Sequence, residues 1–377
     1  MAAPSTSTTT GEIAKSIVQS ERSELKLGIL IAIISLVLFI GILEGLAYLY
    51  ERMQANGLYA WELVASRRIL LDRHPESGFG YTLMRPGKHY EWGGIPVDIN
   101  SHGLRGPEIS YEKPPATFRI LNLGDSVTMG WGVREEDTYG RRLESILNAS
   151  GRGGLRFQVI NAGVPGWNLE NAQAYLQEEG SKYQPDLVLL DLTTANDIRG
   201  DSALVEDNQP APINWLQANT YFWPFLTVQL RWLESRAEGR ERIDVIDPPI
   251  DPDKYFPLDP HAENWTRVWN WVMAINQLAK ENDAQFLLIM FPVEFQVTDE
   301  SFPTLPQELF MEKSAETGIS TLDLLPAFRK ACREKPGSAC QREDRYLFAD
   351  VWMHPSAHGH ELTAFEIYTA LARFLPK

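Results

Sequence analysis

A serine, a histidine and a carboxylate in this chain could together attack a carbonyl. The serine is Ser126, in "ILNLGDSVTMGWGV" (residues 120–133), where an apolar run stops abruptly at Gly-Asp-Ser. A serine hydroxyl is a weak nucleophile until a base takes its proton and a third group orients that base. The best base is His354, in "ADVWMHPSAHGHEL", with Asp350 four residues upstream. Attack creates an oxyanion, and each preorganised donor facing it is worth roughly 3–4 kcal/mol of barrier. The candidate donors are the backbone N–H groups of Ser126 and Gly166 and the side-chain amide of Asn196. His358 and His360 stand close to His354 and raise the question of a metal site. Pro355 and Gly359 interrupt any helix that would align the three, and no HExxH occurs, so no metal or other cofactor is expected. His358 and His360 are read as loop and helix-start residues, and Asp125 and Asp197 as loop braces. The absence of GxSxG separates the chain from the α/β-hydrolase elbow.

These residues need elements that bring them to one edge. Short apolar runs bounded by turn signals predict strands at "FRILNLG" (118–124), "FQVINAG" (157–163), "DLVLLDL" (186–192) and "QFLLIMF" (285–291). Stretches of helical pattern lie between them, such as "DTYGRRLESILNAS" and "NAQAYLQEEGSKY", and "HELTAFEIYTALARFL" closes the chain. Strands alternating with helices imply a parallel sheet covered on both faces, with ligands bound beyond the carboxyl ends of the strands. Gly124, Gly163 and "TAND" after residue 192 fall at those ends. An aromatic-rich insert at about 200–262, containing "NWLQANTYFWPFLTVQLRWL", breaks the rhythm. A lid, a sugar-stacking surface, a partner contact and a helix packed on the flank are all open readings of it.

The chain has 377 residues, enough for one or two domains, and a net charge of −15, which argues against a nucleic-acid partner. Residues 1–26 are small and polar and read as a flexible tail. Residues 27–50 then form an apolar run whose first 17 residues carry no charge, long enough to cross a bilayer. The run is too long for a signal-peptide core and ends in a poor cleavage site, so it reads as an uncleaved single-pass anchor in the lipid bilayer. Glu44 near its end reads as interfacial, with contact to another membrane protein as the alternative, and Tyr48 and Tyr50 suit the aromatic belt. Positive charges flank both sides, so they do not fix the orientation. Residues 51–112 read as a juxtamembrane helix followed by an irregular or β-rich preface, and 113–377 as the main domain. Cys332 and Cys340 flank a Pro-Gly loop; a disulfide there would suit an oxidising compartment, and two thiols remain the alternative.

Four blocks in order, "GDSVTMG", "VINAGVPGWN", "TANDIRG" and "HPSAHGH", resemble those of the SGNH, or GDSL, hydrolase family. The resemblance covers about residues 113–377 and implies a flavodoxin-like three-layer α/β/α fold that hydrolyses or transfers acyl groups of small esters. By its blocks, Ser126 is the nucleophile, Gly166 and Asn196 are oxyanion donors and His354 is the base. Residues 78–133, including "INSHGLRGPE", also resemble the preface of envelope-anchored members linked to polysaccharide modification. That implies an extracytoplasmic esterase or acetyl-type O-acyltransferase acting on acylated glycans through an acyl-Ser126 intermediate. In one departure, the family's Asp stands three residues before the His, where this chain has Val351. Asp350 therefore needs a local bulge, with Asp344 or a Ser–His dyad as fallback. This departure, Glu44 and the insert also leave room for a non-catalytic subunit of a membrane assembly.

Overall fold

The structure is a computed structural model. It describes residues 7–53, 81–198 except 82, 85, 88, 93 and 94, 213–230 except 214, 217, 218, 224 and 228, and 252–375 except 253–255, 342, 343, 351, 352, 372 and 373. Helix α1 spans Ser7–Met53. A hairpin of β1 (His89–Trp92) and β2 (Ile95–Asp98) follows, and its strands pair antiparallel. The main sheet contains β3 (Thr117–Gly124), β4 (Arg156–Gly163), β5 (Leu187–Thr193), β6 (Gln285–Phe291) and β7 (Thr321–Asp323). All neighbours pair parallel, in the order β4-β3-β5-β6-β7.

Within that sheet the spatial order is second, first, third, fourth, fifth strand, which is the flavodoxin-like winding. The chain runs outward from β3 to β4, then returns across to β5, so the direction of winding reverses beside β3. A crevice opens at such a switch point, beyond the carboxyl ends of the strands. Every residue of β3 and of β5 is buried, as strands covered on both faces must be. Flanking them are α2 (Ser126–Met129), α3 (Tyr139–Ala149), α4 (Leu169–Glu178), α5 (Thr194–Asp197), α6 (Glu263–Glu281), α7 (Glu294–Thr298), α8 (Leu305–Thr317), α9 (Leu325–Arg333) and α10 (Ala357–Ala370). α3 packs on α10, and α4 on α6.

All four strands expected from sequence are present, each within a residue or two. β7 was not expected: three residues are too few to show an alternation. The helix read through "NAQAYLQEEGSKY" ends at Glu178 and resumes as a single tighter turn over Gly180–Tyr183. Residues 7–26 are helical, contrary to the expected flexible tail. Once the apolar span nucleates a helix, adding residues to its end costs little, and nothing between Gly11 and Lys26 breaks it. The juxtamembrane helix read after residue 53 falls largely on 54–80, outside the described residues, as do 199–212 and 231–251 of the insert.

α1 contains one stretch, Glu24–Tyr50, long and apolar enough to cross a membrane, with a mean hydropathy of 2.8. Its side chains from Glu24 to Ile42 are exposed throughout. Cys332 and Cys340 are joined by a disulfide, which closes the loop after α9.

Candidate active site

Ser126 is the first residue of α2, directly after β3. Asp125 caps this turn by accepting the Val127 N–H at 2.8 Å, which fixes the backbone that presents the serine. α2 lies almost on the backbone of β4: a Cβ at Gly163 would stand 2.2 Å from the Met129 nitrogen. Gly163→Ala is therefore expected to destabilise the chain by about 3 kcal/mol or more and to displace Ser126. Denaturant titration alongside ester turnover would measure both effects.

His354 arrives from the far end of the chain. Ser126 Oγ and His354 Nε2 are 2.8 Å apart, and both residues are more than nine-tenths buried. His354 Nδ1 lies against Asp350 Oδ2 in a short hydrogen bond. The displaced Asp350 thus reaches the imidazole, by a specific device. Phe348 bridges Pro355, and the Ala349 N–H donates to the His354 carbonyl at 2.7 Å, closing the loop on itself. Inside it, Asp350 Oδ1 accepts the N–H groups of Met353 (2.9 Å) and His354 (3.1 Å), which hold the carboxylate beside the imidazole. Asp344, the alternative carboxylate, instead pairs with Lys335 at 2.6 Å.

"VPGW" forms a β-turn in which the Trp167 N–H donates to the Val164 carbonyl at 3.1 Å. Pro165 precedes Gly166, whose φ of +78° is the left-handed conformation that a type II turn needs at its third position. The amide at that position points away from the turn. Among the described residues, neither the Gly166 N–H nor the Ser126 N–H has an acceptor. Both follow the carboxyl ends of neighbouring strands, β3 and β4, and free backbone donors at such an edge suit a developing oxyanion. Asn196 has its backbone in α5, directly after β5; its side chain lies outside the described residues.

A family model for GDSL-like lipases and acylhydrolases matches residues 123–362, from the strand before the serine to the helix after the histidine. The chain belongs to the GDSL-like lipase/acylhydrolase family. It is an esterase-type hydrolase with an SGNH-like α/β fold. Solved structures similar to it include an acetyl xylan esterase, AlAXEase, at 14% identity and TM-score 0.41, covering 67% of this chain and 100% of that one. Axe2, an acetylxylan esterase from Geobacillus stearothermophilus, is 17% identical with TM-score 0.40, over 68% of this chain and 94% of its own. A lipolytic G-D-S-L protein from Veillonella parvula is 16% identical with TM-score 0.39, over 68% and 99%. No curated protein matches the chain.

This GDSL-like acylhydrolase has parts that its motifs did not reveal. Trp131 stacks on the His354 ring at 5.7 Å and 28°. The loop carrying it is clamped by the buried Arg105 of "INSHGLRGPE", which donates to the carbonyls of Met129, Gly130 and Val133 at 3.2, 2.6 and 2.8 Å. A single arginine in a loop-rich segment gives no periodic signal; only the resemblance of its preface pointed there. Behind Ser126, a chain of contacts links Asn122, Tyr139, Thr128 and Asp191. These three contacts share two hydroxyl hydrogens, and a proton on Asp191 would supply the third. Burial, followed by the charge of Asp125, holds that carboxyl well above the usual carboxylate range. Asp197 accepts the Thr193 N–H at 2.8 Å and braces the turn into α5. A cavity of about 450 Å³ opens between α4 and α6, lined by residues that include Asn168, Gln173, Asp197, Arg267, Asn270 and Trp271.

The three clustered histidines face different partners. His354 meets Ser126, His358 lies 3.4 Å from Glu361, and His360 Nδ1 accepts the Tyr139 N–H at 3.2 Å. His360 lies in the first turn of α10, a helix-start position as expected, but fully buried, and burial lowers its pKa to about 3, with Arg105 adding to the effect. Because the folded value lies below the unfolded value of about 6.5, the unfolded chain takes up the proton first. This contribution to stability is complete above pH ~6.5 and is lost at about 1.4 kcal/mol per unit as the pH falls toward 3. His360→Asn keeps an acceptor for the Tyr139 N–H. Its unfolding free energy is expected to fall by one proton less over this window, as urea titrations at several pH values would show.

Proposed function

We propose that this protein is a membrane-anchored, extracytoplasmic serine esterase or O-acyltransferase that acts on acylated glycans through an acyl-Ser126 intermediate. The observation carrying this reading is the aligned Ser126–His354–Asp350 relay, in which Oγ meets Nε2 and Nδ1 meets the carboxylate. Ser126 Oγ attacks the ester carbonyl as His354 Nε2 takes its proton, and Asp350 holds the resulting imidazolium. The N–H groups of Ser126 and Gly166, together with Asn196, stabilise the oxyanion. Its collapse expels the sugar oxygen, which takes the proton from His354. Water or a sugar hydroxyl then gives its proton to His354 and attacks the acyl-serine, and on collapse Ser126 Oγ leaves and takes that proton back from His354. Hydrolysis and transfer share every step up to that second attack.

Residues 113–377 are taken as the catalytic domain and 27–50 as the anchor. The glycan reading is supported by the resemblance of the "INSHGLRGPE" preface. The cavity between α4 and α6 combines an indole with amide and charged groups, the mixture that a sugar's apolar faces and hydroxyls call for, but neither Ser126 nor His354 lines it. The disulfide supports an oxidising compartment. Asp350, whose displacement left room for a non-catalytic subunit, contacts the imidazole, and this favours the enzyme.

A fluorophosphonate probe on the full chain in detergent tests the proposal. Stoichiometric labelling that maps to Ser126 is expected, and a folded chain that stays unlabelled would overturn it. Turnover of acetyl against longer-chain esters, with and without a sugar acceptor, reads acyl preference and transfer.

A further inference from the structure

Two oddities of the sequence meet in the structure: the carboxylate in the apolar span and the aromatic insert. Glu44 Oε2 accepts the Tyr221 N–H at 2.6 Å, and its Oε1 accepts the Phe222 N–H at 3.3 Å. Residues 222–230 are helical at every described position, so Glu44 caps the N-terminus of a helix from another part of the chain. Those first amides have no partner within their own helix, and the positive end of its dipole favours a carboxylate. Two aromatic pairs extend the contact: Tyr48 packs edge-on against Tyr221 at 5.2 Å, and Tyr50 against Phe225 at 5.2 Å. The insert is therefore docked on the last turns of the apolar span.

From Glu24 to Glu44 is 20 residues, or roughly 30 Å of helix, the thickness of a bilayer's hydrocarbon core. If Glu24 marks one boundary, Glu44 and the insert it holds stand at the other. The composition of the insert fits that depth. Residues 208–230 contain no charged side chain, in a chain where 23% of residues are charged, and they hold Trp215, Tyr221, Phe222, Trp223 and Phe225. Trp215 and Leu230 leave 62% and 55% of their surface uncovered by protein. An uncharged, aromatic-rich element with an uncovered apolar side, joined to a spanning helix at the level of its tyrosines, has the chemistry of the headgroup boundary.

We propose that residues 213–230 lie in the membrane interface as a second lipid-contacting element, latched to the anchor helix by Glu44. The proposal rests on the reading of residues 27–50 as a bilayer anchor. It gives Glu44 a partner within its own chain and makes the end of the anchor a structural part of the folded protein.

Both cysteines are in the disulfide, so single engineered thiols can be labelled selectively. Full-length Trp215→Cys and, independently, Leu230→Cys would carry an environment-sensitive fluorophore in phosphatidylcholine vesicles, with Leu36→Cys as the reference in the span and Lys280→Cys as the reference in water. Retention of ester turnover identifies correctly folded variants. The expected result is that nitroxide lipids remove most of the emission from positions 215, 230 and 36, while aqueous iodide quenches only position 280. Iodide quenching at 215 and 230 with lipid quenching at 36 overturns the interfacial insert but leaves the anchor, and would fit a sugar or protein surface instead. Loss of lipid quenching at position 36 as well overturns the anchor and the insert together.

Discussion

Asp350→Asn is expected to slow turnover of a small ester by about 10⁴ while leaving the fold intact. Asp350 has two separate tasks. Its Oδ1 accepts the N–H groups of Met353 and His354, and its Oδ2 meets His354 Nδ1. An asparagine can keep the first task with its carbonyl oxygen, so the capped loop survives. Its NH₂ then faces Nδ1, which must offer a lone pair, and the neutral imidazole is forced to carry its hydrogen on Nε2. In that tautomer Nε2 cannot take the proton of Ser126, 2.8 Å away. The loss should appear in kcat with an unchanged melting temperature. A variant with near-normal turnover would remove Asp350 from the relay.

Ser126→Ala is the second large effect, on the order of 10⁶ in kcat. The substitution deletes the nucleophile but not the N–H of residue 126, so the site can still bind the ester and polarise it weakly. Substrate affinity is therefore expected to survive, and fluorophosphonate labelling to vanish. Turnover near the wild-type level would mean that another group attacks the ester. The two variants differ in what remains: without Asp350 the nucleophile persists with a misdirected base, whereas without Ser126 no acyl-enzyme forms. A chromogenic ester followed under single-turnover conditions separates them, because only the Asp350 variant should still accumulate acyl-enzyme, slowly.

Much of the framework was legible because each of its signals is local. β3 to β6 are short apolar runs ending in turn residues, and burial on both faces leaves little room for polar side chains. Ser126 stands at a strand end, and the expectation for Gly166 and His354 came from the blocks shared with the family. The extended α1 was not legible, since polar residues of middling helix propensity do not reveal that a neighbouring apolar helix will carry them along. The roles of Arg105, Trp131 and Asp191 were also hidden. Arg105 acts on carbonyls 24 to 28 residues away, and Trp131 acts on a ring more than 200 residues further along the chain. Neither spacing is periodic.

The sequence by itself determined four strands of a parallel sheet and the strand end at which Ser126 stands, because strand patterning and turn chemistry depend on near neighbours; the winding and the roles of Ser126 and His354 were expected from the family resemblance. Only the tertiary structure decided that the Asp350 carboxylate meets the His354 imidazole. One residue of displacement moves a carboxylate by several ångströms unless a loop absorbs it, and that depends on the Phe348–Pro355 bridge and two backbone amides. It likewise decided what Glu44 meets: 177 residues separate it from Tyr221, and only the folded chain brings the carboxylate to those amides.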